Sequence, residues 1–263
     1  VLRIFKDRFT LILILLGLVL LLFIVVPLLK TVLTSNPSVL FQDPDIARQV
    51  RESIWLTVYT ALISTAVGLI LGIPLAYILA RHNFPGKKII EGIIDVPIVV
   101  PHTAAGIALL FVFGRNFFAG RAFHAVGIDF VGTVAGIIIA MMFVSVPFLV
   151  DSVKEGFKGV DPRLEKVART LGASPRKAFF GVSLPLVWRS ILSGSVMMWA
   201  RGVSEFGAVL ILTYNPKVAP VLLYDLWVEW GVKYALPFAA LLILLCLVVF
   251  IALRYIAQRG EKS

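Results

Sequence analysis

Cysteine occurs once in the 263 residues, at Cys246, and histidine three times, at His82, His102 and His124. A lone cysteine excludes a disulfide framework within the chain and any metal site built on several cysteines. The histidines stand in no H-x-x-x-H or H-E-x-x-H spacing, so no metal ligand set is expected. No G-x-x-x-x-G-K-[ST] stretch occurs, which removes the loop that cradles nucleotide phosphates in P-loop enzymes. Neither a nucleophile-and-base spacing nor a carboxylate pair stands out, and the chain is expected not to be an enzyme by itself. Charge is scarce too. Only 15% of residues are Asp, Glu, Lys or Arg, against 59% hydrophobic and a mean hydropathy of +0.96, a combination outside the range of soluble domains.

What fills the chain instead is long apolar runs, which read as membrane-spanning helices. A transmembrane β-barrel would show short alternating segments. The run from Phe9 to about Leu29 follows a basic start, Arg3, Lys6 and Arg8, and imitates a secretory signal. It is too long for the apolar core of such a signal and no small-residue cleavage site follows, so it is expected to stay as a first helix. Segments near Ser53–Ala80, Ile89–Phe113, Val131–Val150, Leu186–Leu212 and Ala235–Ile256 complete a set of six. The second and fifth exceed the roughly 20 residues of one span and are expected to tilt or project. Thr31–Glu52 is polar and turn-rich, with Ile46–Val50 suited to open an interfacial helix. The fold class expected is all-α: a polytopic membrane protein with six transmembrane helices in a single domain, residues 1–263.

The net charge of +10 has an explanation in topology. Counting Lys and Arg in alternate connections gives seventeen on the side of the termini and seven on the other, with Arg201 inside the fifth segment. The basic side faces the cytoplasm in such proteins. Both termini and the long fourth connection are therefore predicted to be cytoplasmic in a multi-pass protein of the cell membrane, with the bilayer as partner and no nucleic acid.

That fourth connection, Asp151–Arg189, is long and charged for so apolar a chain. Asp161-Pro162 reads as an N-cap followed by proline at the first helical position. Leu164, Val167, Ala168 and Leu171 then fall at i, i+3, i+4 and i+7, an apolar face of two turns, and Gly172 is a natural stop. Ser174-Pro175 repeats the start signal for a second short helix carrying Arg176, Lys177, Phe179 and Phe180. Two short capped helices beside a membrane suggest a docking surface.

Two further features lie inside the spans. The third begins D-V-P-I-V-V-P-H-T-A-A-G, with Pro97 and Pro101 four apart, so a straight helix is not expected. Thr103 to Gly106 are small and would admit a close backbone neighbour. A kinked helix lining a pathway and an irregular helix start at the interface both fit, with His102 a hydrogen-bonded packing residue. The fifth holds Arg201 and Glu205, ionisable residues that need a partner at membrane depth and stand at i and i+4. With Ser190, Gly194 and Ala208 they form a small or polar stripe. An internal ion pair that fixes packing is the favoured reading over direct contact with an anion, because Glu205 offsets the charge of Arg201.

At the long connection the sequence resembles the permease subunits of ATP-binding-cassette (ABC) importers, whose signature is E-A-A-x3-G-x9-I-x-L-P. Lys166-Val167-Ala168, then Gly172, Val182, Leu184 and Pro185 keep that spacing. The departures are Lys166 for glutamate, Val167 for alanine and Val182 for isoleucine. Glu165 stands one place early, which leaves open whether it substitutes for the missing carboxylate. Ala200–Val209, A-R-G-V-S-E-F-G-A-V, is similar to A-R-x-x-G-E-F-G-A of sulfate, molybdate and tungstate permeases, with Ser204 in the glycine position. Val96–Ala108 looks most like the molybdate/tungstate permeases of archaeal type.

The resemblance implies a type I ABC importer permease fold and import of an oxyanion by alternating access. It implies a homodimer of permeases, two ATPase subunits that carry the ATP and magnesium, and an extracytoplasmic oxyanion-binding protein; no cofactor is expected in this chain. It places the ATPase-coupling loop within 151–189, at Arg163, Leu164, Glu165, Lys166, Val167, Ala168, Leu171, Gly172, Ala173, Ser174 and Pro185. The pathway or gate is expected near Pro97, Pro101, His102, Thr103, Gly106, Arg201, Ser204, Glu205 and Gly207. The alternatives are a sulfate or thiosulfate permease of the same family and an ion-coupled secondary transporter.

Overall fold

The computed structural model describes residues 8–259, and every regular element among them is helical. Arg3, Lys6 and Lys262, which enter the charge count, lie outside the described residues. Among the described residues four helical stretches are long and apolar enough to cross a membrane alone, and two sharply bent pairs bring the number to six if each pair is one span.

By packing, the chain divides into two compact units. One comprises the chain up to Val50 together with Leu223–Val249. It holds α1 (Arg8–Thr34), the short α2 (Val39–Gln42) and the first turns of α3 (Pro44–Arg81). Of the later helices it takes the end of α13 (Ala219–Trp230) and most of α14 (Val232–Arg259). The side chains of α1 are exposed along nearly its whole length, the pattern of a helix whose surroundings are apolar. The segment Ile46–Val50 does not open a separate interfacial helix: α3 runs unbroken for 38 residues from Pro44. Asp43 begins it, its Oδ1 accepting from the Asp45 N–H at 2.8 Å, with Pro44 in the first position, where a missing N–H costs nothing.

The second unit carries the rest of α3 and the chain to Leu222. After α3 come α4 (Lys87–Val99) and α5 (His102–Phe113), then α6 (Phe118–His124) and α7 (Val134–Gly159). The pair α4–α5 is the expected third span, bent by 116°. Pro101 has no N–H to donate, and Val100 before it is extended (φ −66°, ψ 135°), as a residue preceding proline tends to be. The break thus lies in mid-segment, well away from its start.

Next follow α8 (Pro162–Thr170), α9 (Pro175–Ala178), a π-helical turn at Phe179–Ser183, α10 (Leu184–Leu186), α11 (Trp188–Val203) and α12 (Gly207–Leu212). Three expectations are corrected here. Asp151–Gly159 is the end of α7, so the connection begins only at Val160. The second short helix is α-helical only to Ala178, and Phe179 and Phe180 lie in the π turn. The fifth segment is not one helix, because α11 ends at Val203 and α12 starts afresh at Gly207. Ser190, Gly194 and Arg201 therefore share a helix, whereas Glu205 and Ala208 lie beyond its end.

The core of this unit is the seam between α3, α7 and α11, where Ala76, Leu79, Leu149, Val150, Val153, Phe157, Val187 and Met198 cluster. In an apolar solvent, close packing and hydrogen bonds drive helix association more than water exclusion does. Ser152 accordingly donates from Oγ to the Ser190 carbonyl at 2.9 Å across the α7–α11 contact.

Candidate functional site

The structure gathers the singled-out residues in two places, both within the Arg51–Leu222 unit. The first is α8 with the turns that follow it. Asp161 Oδ1 accepts from the Arg163 N–H at 2.8 Å, and Ser174 Oγ accepts from the Lys177 N–H at 3.3 Å, so both starts are capped by side chains. Between them the chain reverses at Gly172 (φ +92°), with the Ala173 N–H bonded back to the Ala168 carbonyl at 3.0 Å. That backbone region is strained for residues with a Cβ and free for glycine.

One side of α8 is tied down and the other is bare. Glu165 turns inward, where Arg81 donates from Nε to Oε1 and the Tyr77 hydroxyl donates to Oε2, each at 2.8 Å. Arg81 also donates from Nη1 to the Val160 carbonyl at 2.8 Å, so one guanidinium holds both the approach to α8 and α8 itself. Burial opposes ionisation of Glu165, but the hydrogen bond from Tyr77 and the charge and hydrogen bond of Arg81 outweigh it and hold the carboxyl below its ordinary range. Tyr77 packs edge-on against Phe157 and Phe179, at 5.2 and 4.9 Å between ring centroids. On the opposite side Leu164, Val167 and Leu171 are 47%, 56% and 82% exposed, with Ala168 half-buried between the two faces. Arg163, Lys166, Arg169, Arg176 and Lys177 are exposed around them, as are Gly172, Ser174 and Pro185, while Ala173 is half-buried. The carboxylate of Glu165 is thus engaged within its own chain, and Lys166 is the residue that points outward.

The second place is an open cavity of about 470 Å³ lined by His102, Thr103, Arg201, Ser204, Glu205, Phe206 and Gly207. Two breaks create it, the one at Val100–Pro101, which the prolines signal, and the one at Ser204–Phe206, which the sequence conceals. The start of α5 and the start of α12 meet there, because α12 enters on a glycine: a Cβ on Gly207 would stand 2.8 Å from His102 Cβ and 3.0 Å from the Thr103 nitrogen. Gly106 one turn deeper packs as closely against Ala208 and Ile211.

Glu205 is 1% exposed and doubly held. Its Oε1 accepts from the Ala208 N–H at 2.8 Å, capping α12, and its Oε2 accepts from Arg201 Nη2 at 2.9 Å. The same Nη2 lies 2.8 Å from Nε2 and 3.2 Å from Nδ1 of His102, and His102 Nδ1 is 3.7 Å from Glu205 Oε2. Arg201 Nη1 reaches Ser204 Oγ at 3.3 Å in an exposed contact. Arg201 and Glu205 do pair at i and i+4, but across the end of α11 and not along one helix face.

Of the nine pathway residues expected from sequence, His102, Thr103, Arg201, Ser204, Glu205 and Gly207 line this cavity. Pro101 immediately precedes α5 and Gly106 packs behind it. Pro97 is elsewhere, in an apolar pocket of about 230 Å³ between α3, α4 and α7. Sequence reasoning missed Phe206, which lines the cavity, and Tyr77 and Arg81, which grip α8 from 88 and 84 residues away. Also missed was the cluster in which Asp129 accepts from Arg115 Nε and Nη2 at 3.2 and 3.0 Å, with His124 Nδ1 at 3.0 Å. The Arg115 hydrogen bonds hold the Asp129 carboxyl below its ordinary range.

Comparison with known proteins agrees with this architecture. The family described as "Binding-protein-dependent transport system inner membrane component" matches residues 68–262. The chain is 42% identical to the molybdate/tungstate transport system permease protein WtpB of Pyrococcus furiosus, over 84% of this chain and 82% of that protein. It is 37% identical to the protein of the same name from Methanocaldococcus jannaschii, over 91% of this chain and 94% of that one. Its fold is shared with a chain in the crystal structure of a bacterial alginate ABC transporter in complex with an alginate pentasaccharide-bound periplasmic protein. The TM-score is 0.73 at 17% identity, covering 98% and 97% of the two chains. Helical spans, the spacing from Lys166 to Pro185 and a match through most of the sequence lead to one conclusion: this chain is a multi-pass membrane protein that belongs to the inner-membrane components of binding-protein-dependent transport systems.

Proposed function

We propose that this chain is the permease subunit of an ATP-driven importer of tetrahedral oxyanions of the molybdate and tungstate class. It acts as a homodimer, with two ATPase subunits on the cytoplasmic side and an extracytoplasmic anion-binding protein on the other. The observation that carries this reading is α8. A short, capped helix whose inward carboxylate is bonded to the chain and whose outward side is bare Leu164, Val167 and Leu171 is built to be covered. The excess of Lys and Arg on the same side of the membrane supports a cytoplasmic position for it, with both termini.

The chemistry follows from charge. A dianion cannot cross hydrocarbon unaided, and each negative charge moved inward against a negative-inside potential costs about 2.3 kcal/mol per 100 mV. Accumulation therefore needs an energy source and a polar path that opens to one side at a time. ATP and magnesium reside on the ATPase subunits, whose closure draws the two α8 platforms together. Each platform pulls through Glu165 on Arg81 and α3, and through the π turn and α10 on α11. The seam of α5 and α12, with Gly106 and Gly207 at its tightest points, is the gate that these movements open. Names of relatives at 42% and 37% identity support the substrate class.

Reconstitution with the ATPase and the binding protein in sealed vesicles tests the reading. Tungstate uptake is expected to require ATP on the α8 side and the binding protein on the other, and to survive a proton uncoupler. Uptake driven by a proton gradient without ATP overturns it in favour of a secondary transporter. Molybdate is expected to compete with tungstate at equal concentration, and competition by sulfate as effective as by molybdate moves the substrate to sulfate.

A further inference from the structure

The cavity at the meeting of α5 and α12 has a property that its residue composition hides. Arg201 and Glu205 cancel as formal charges, which argues against an anion site. Their placement does not cancel. The carboxylate is 1% exposed, one oxygen committed to the Ala208 N–H and the other covered by Arg201 Nη2 and His102. Arg201 brings the cationic side of the pair to the cavity, its side chain 21% exposed, with the 40% exposed His102 ring turned towards its Nη2 and the exposed Ser204 hydroxyl beside it, donating to the Arg201 carbonyl at 3.0 Å until a ligand takes its hydrogen. Arg201 Nη1 meets only Ser204 Oγ among the described residues, at 3.3 Å, so a guanidinium edge is left for a ligand.

The backbone adds to the same field. The first helical bond of α5 is donated by Ala105 to the Pro101 carbonyl, so the N–H groups of His102, Thr103 and Ala104 precede it without an intrahelical acceptor. Thr103 and His102 line the cavity, and the positive end of the α5 dipole is directed at it.

We infer that Arg201, His102 and Ser204 form a transit site for a tetrahedral oxyanion, with Glu205 as a built-in counter-ion that occupies Arg201 between anions. The inference rests on the proposed reading of the chain as an oxyanion permease and adds to it a defined resting place within the path. Guanidinium binds carboxylate and oxyanion with the same fork of N–H groups, so a passing anion exchanges with Glu205 for one partner. The exchange has a consequence. Glu205 stays fixed by its bond to Ala208 whichever partner Arg201 holds, so the carboxylate is always there to take Arg201 back. The site is therefore weak by construction, as a conduction site must be for the anion to leave.

The test uses the permease–ATPase complex in lipid nanodiscs with no binding protein, titrated calorimetrically with sodium tungstate. Saturable binding is expected. Arg201→Lys keeps the charge but loses the fork, and is expected to weaken it by ~10-fold, the loss of one charge-assisted hydrogen bond. Glu205→Gln preserves an acceptor for the Ala208 N–H and removes the competing charge, and is expected to tighten binding several-fold while slowing uptake. Opposite signs for these two members of one ion pair distinguish a site from a packing contact, which predicts loss in both. If Glu205→Gln does not assemble, Ser204→Ala, at an exposed position, is expected to weaken binding about threefold, the bond to the anion less the bond to the Arg201 carbonyl that the hydroxyl gives up. Absence of saturable binding, or equal affinity in wild type, Arg201→Lys and Ser204→Ala, overturns the inference. The importer reading stands or falls separately, on ATP-dependent uptake with the binding protein present.

Discussion

Arg81, the last residue of α3, donates from Nε to Glu165 of α8 at 2.8 Å, and with Nη1 it holds the Val160 carbonyl that leads into α8. Their side chains are only 8% and 15% exposed. The contact joins a short helix that is bare on its outer side to the end of a 38-residue helix. Force applied to α8 therefore reaches α3 through a charged, doubly hydrogen-bonded link as well as through the covalent chain.

Arg81→Met leaves the Glu165 carboxylate without its cation in a largely enclosed position. Removing one partner of such a pair costs on the order of 3 kcal/mol. We expect a lower thermal midpoint and several-fold fewer anions imported per ATP hydrolysed in reconstituted vesicles. The exchange of charges, Arg81→Glu with Glu165→Arg, is expected to recover part of both. An unchanged transport-to-hydrolysis ratio in Arg81→Met would show that the link transmits nothing.

Acid weakens the same link. The Glu165 carboxyl has its value in the folded protein lowered below the ordinary 4.5. The stabilisation is thus fully present above pH 4.5 and is lost as pH falls through the lower folded value. Acid titration of the thermal midpoint is expected to fall more steeply below that pH for the wild type than for Glu165→Gln, whose side chain does not titrate. Parallel curves for the two proteins contradict the assignment.

The outer face of α8 is predicted to bind without contributing to folding. Leu171→Asp changes a side chain 82% exposed, and Val167→Asp one 56% exposed. Each is expected to keep the stability of the isolated permease within about 0.5 kcal/mol of wild type, as for surface substitutions generally. Each is expected to lose co-purification with the ATPase. Retention of the ATPase by both variants removes this face from the docking surface.

Gly172 and Gly207 are expected to fail for different reasons. At φ +92° with nothing near, Gly172→Ala strains the backbone by about 1 kcal/mol and loosens the turn after α8. Gly207→Val drives a side chain into His102 and Thr103, an overpacking cost of about 1–3 kcal/mol, and separates α12 from α5. Thermal melts of the two variants alongside uptake assays distinguish them. Gly172→Ala should impair coupling at modest loss of stability, and Gly207→Val should lower stability first.

Much of the protein is written locally in its sequence. Runs such as Phe9–Leu29 fix membrane helices because apolar residues in a row have no aqueous alternative, and Asp161-Pro162 and Ser174-Pro175 fix helix starts because a cap acts on its nearest neighbours. The spacing from Lys166 to Pro185 identifies the family on the same local terms. Tertiary structure decided what depends on partners distant in sequence. It turned Glu165 inward, because Arg81 and Tyr77 are brought beside it from another helix. It broke the fifth segment at Ser204–Phe206, since Gly207 packs on α5 and Glu205 caps α12. And it sorted Arg201 from Glu205, two charges that cancel in a sequence, by exposing one to a cavity and burying the other at its back, because a charge acts from where its atoms lie.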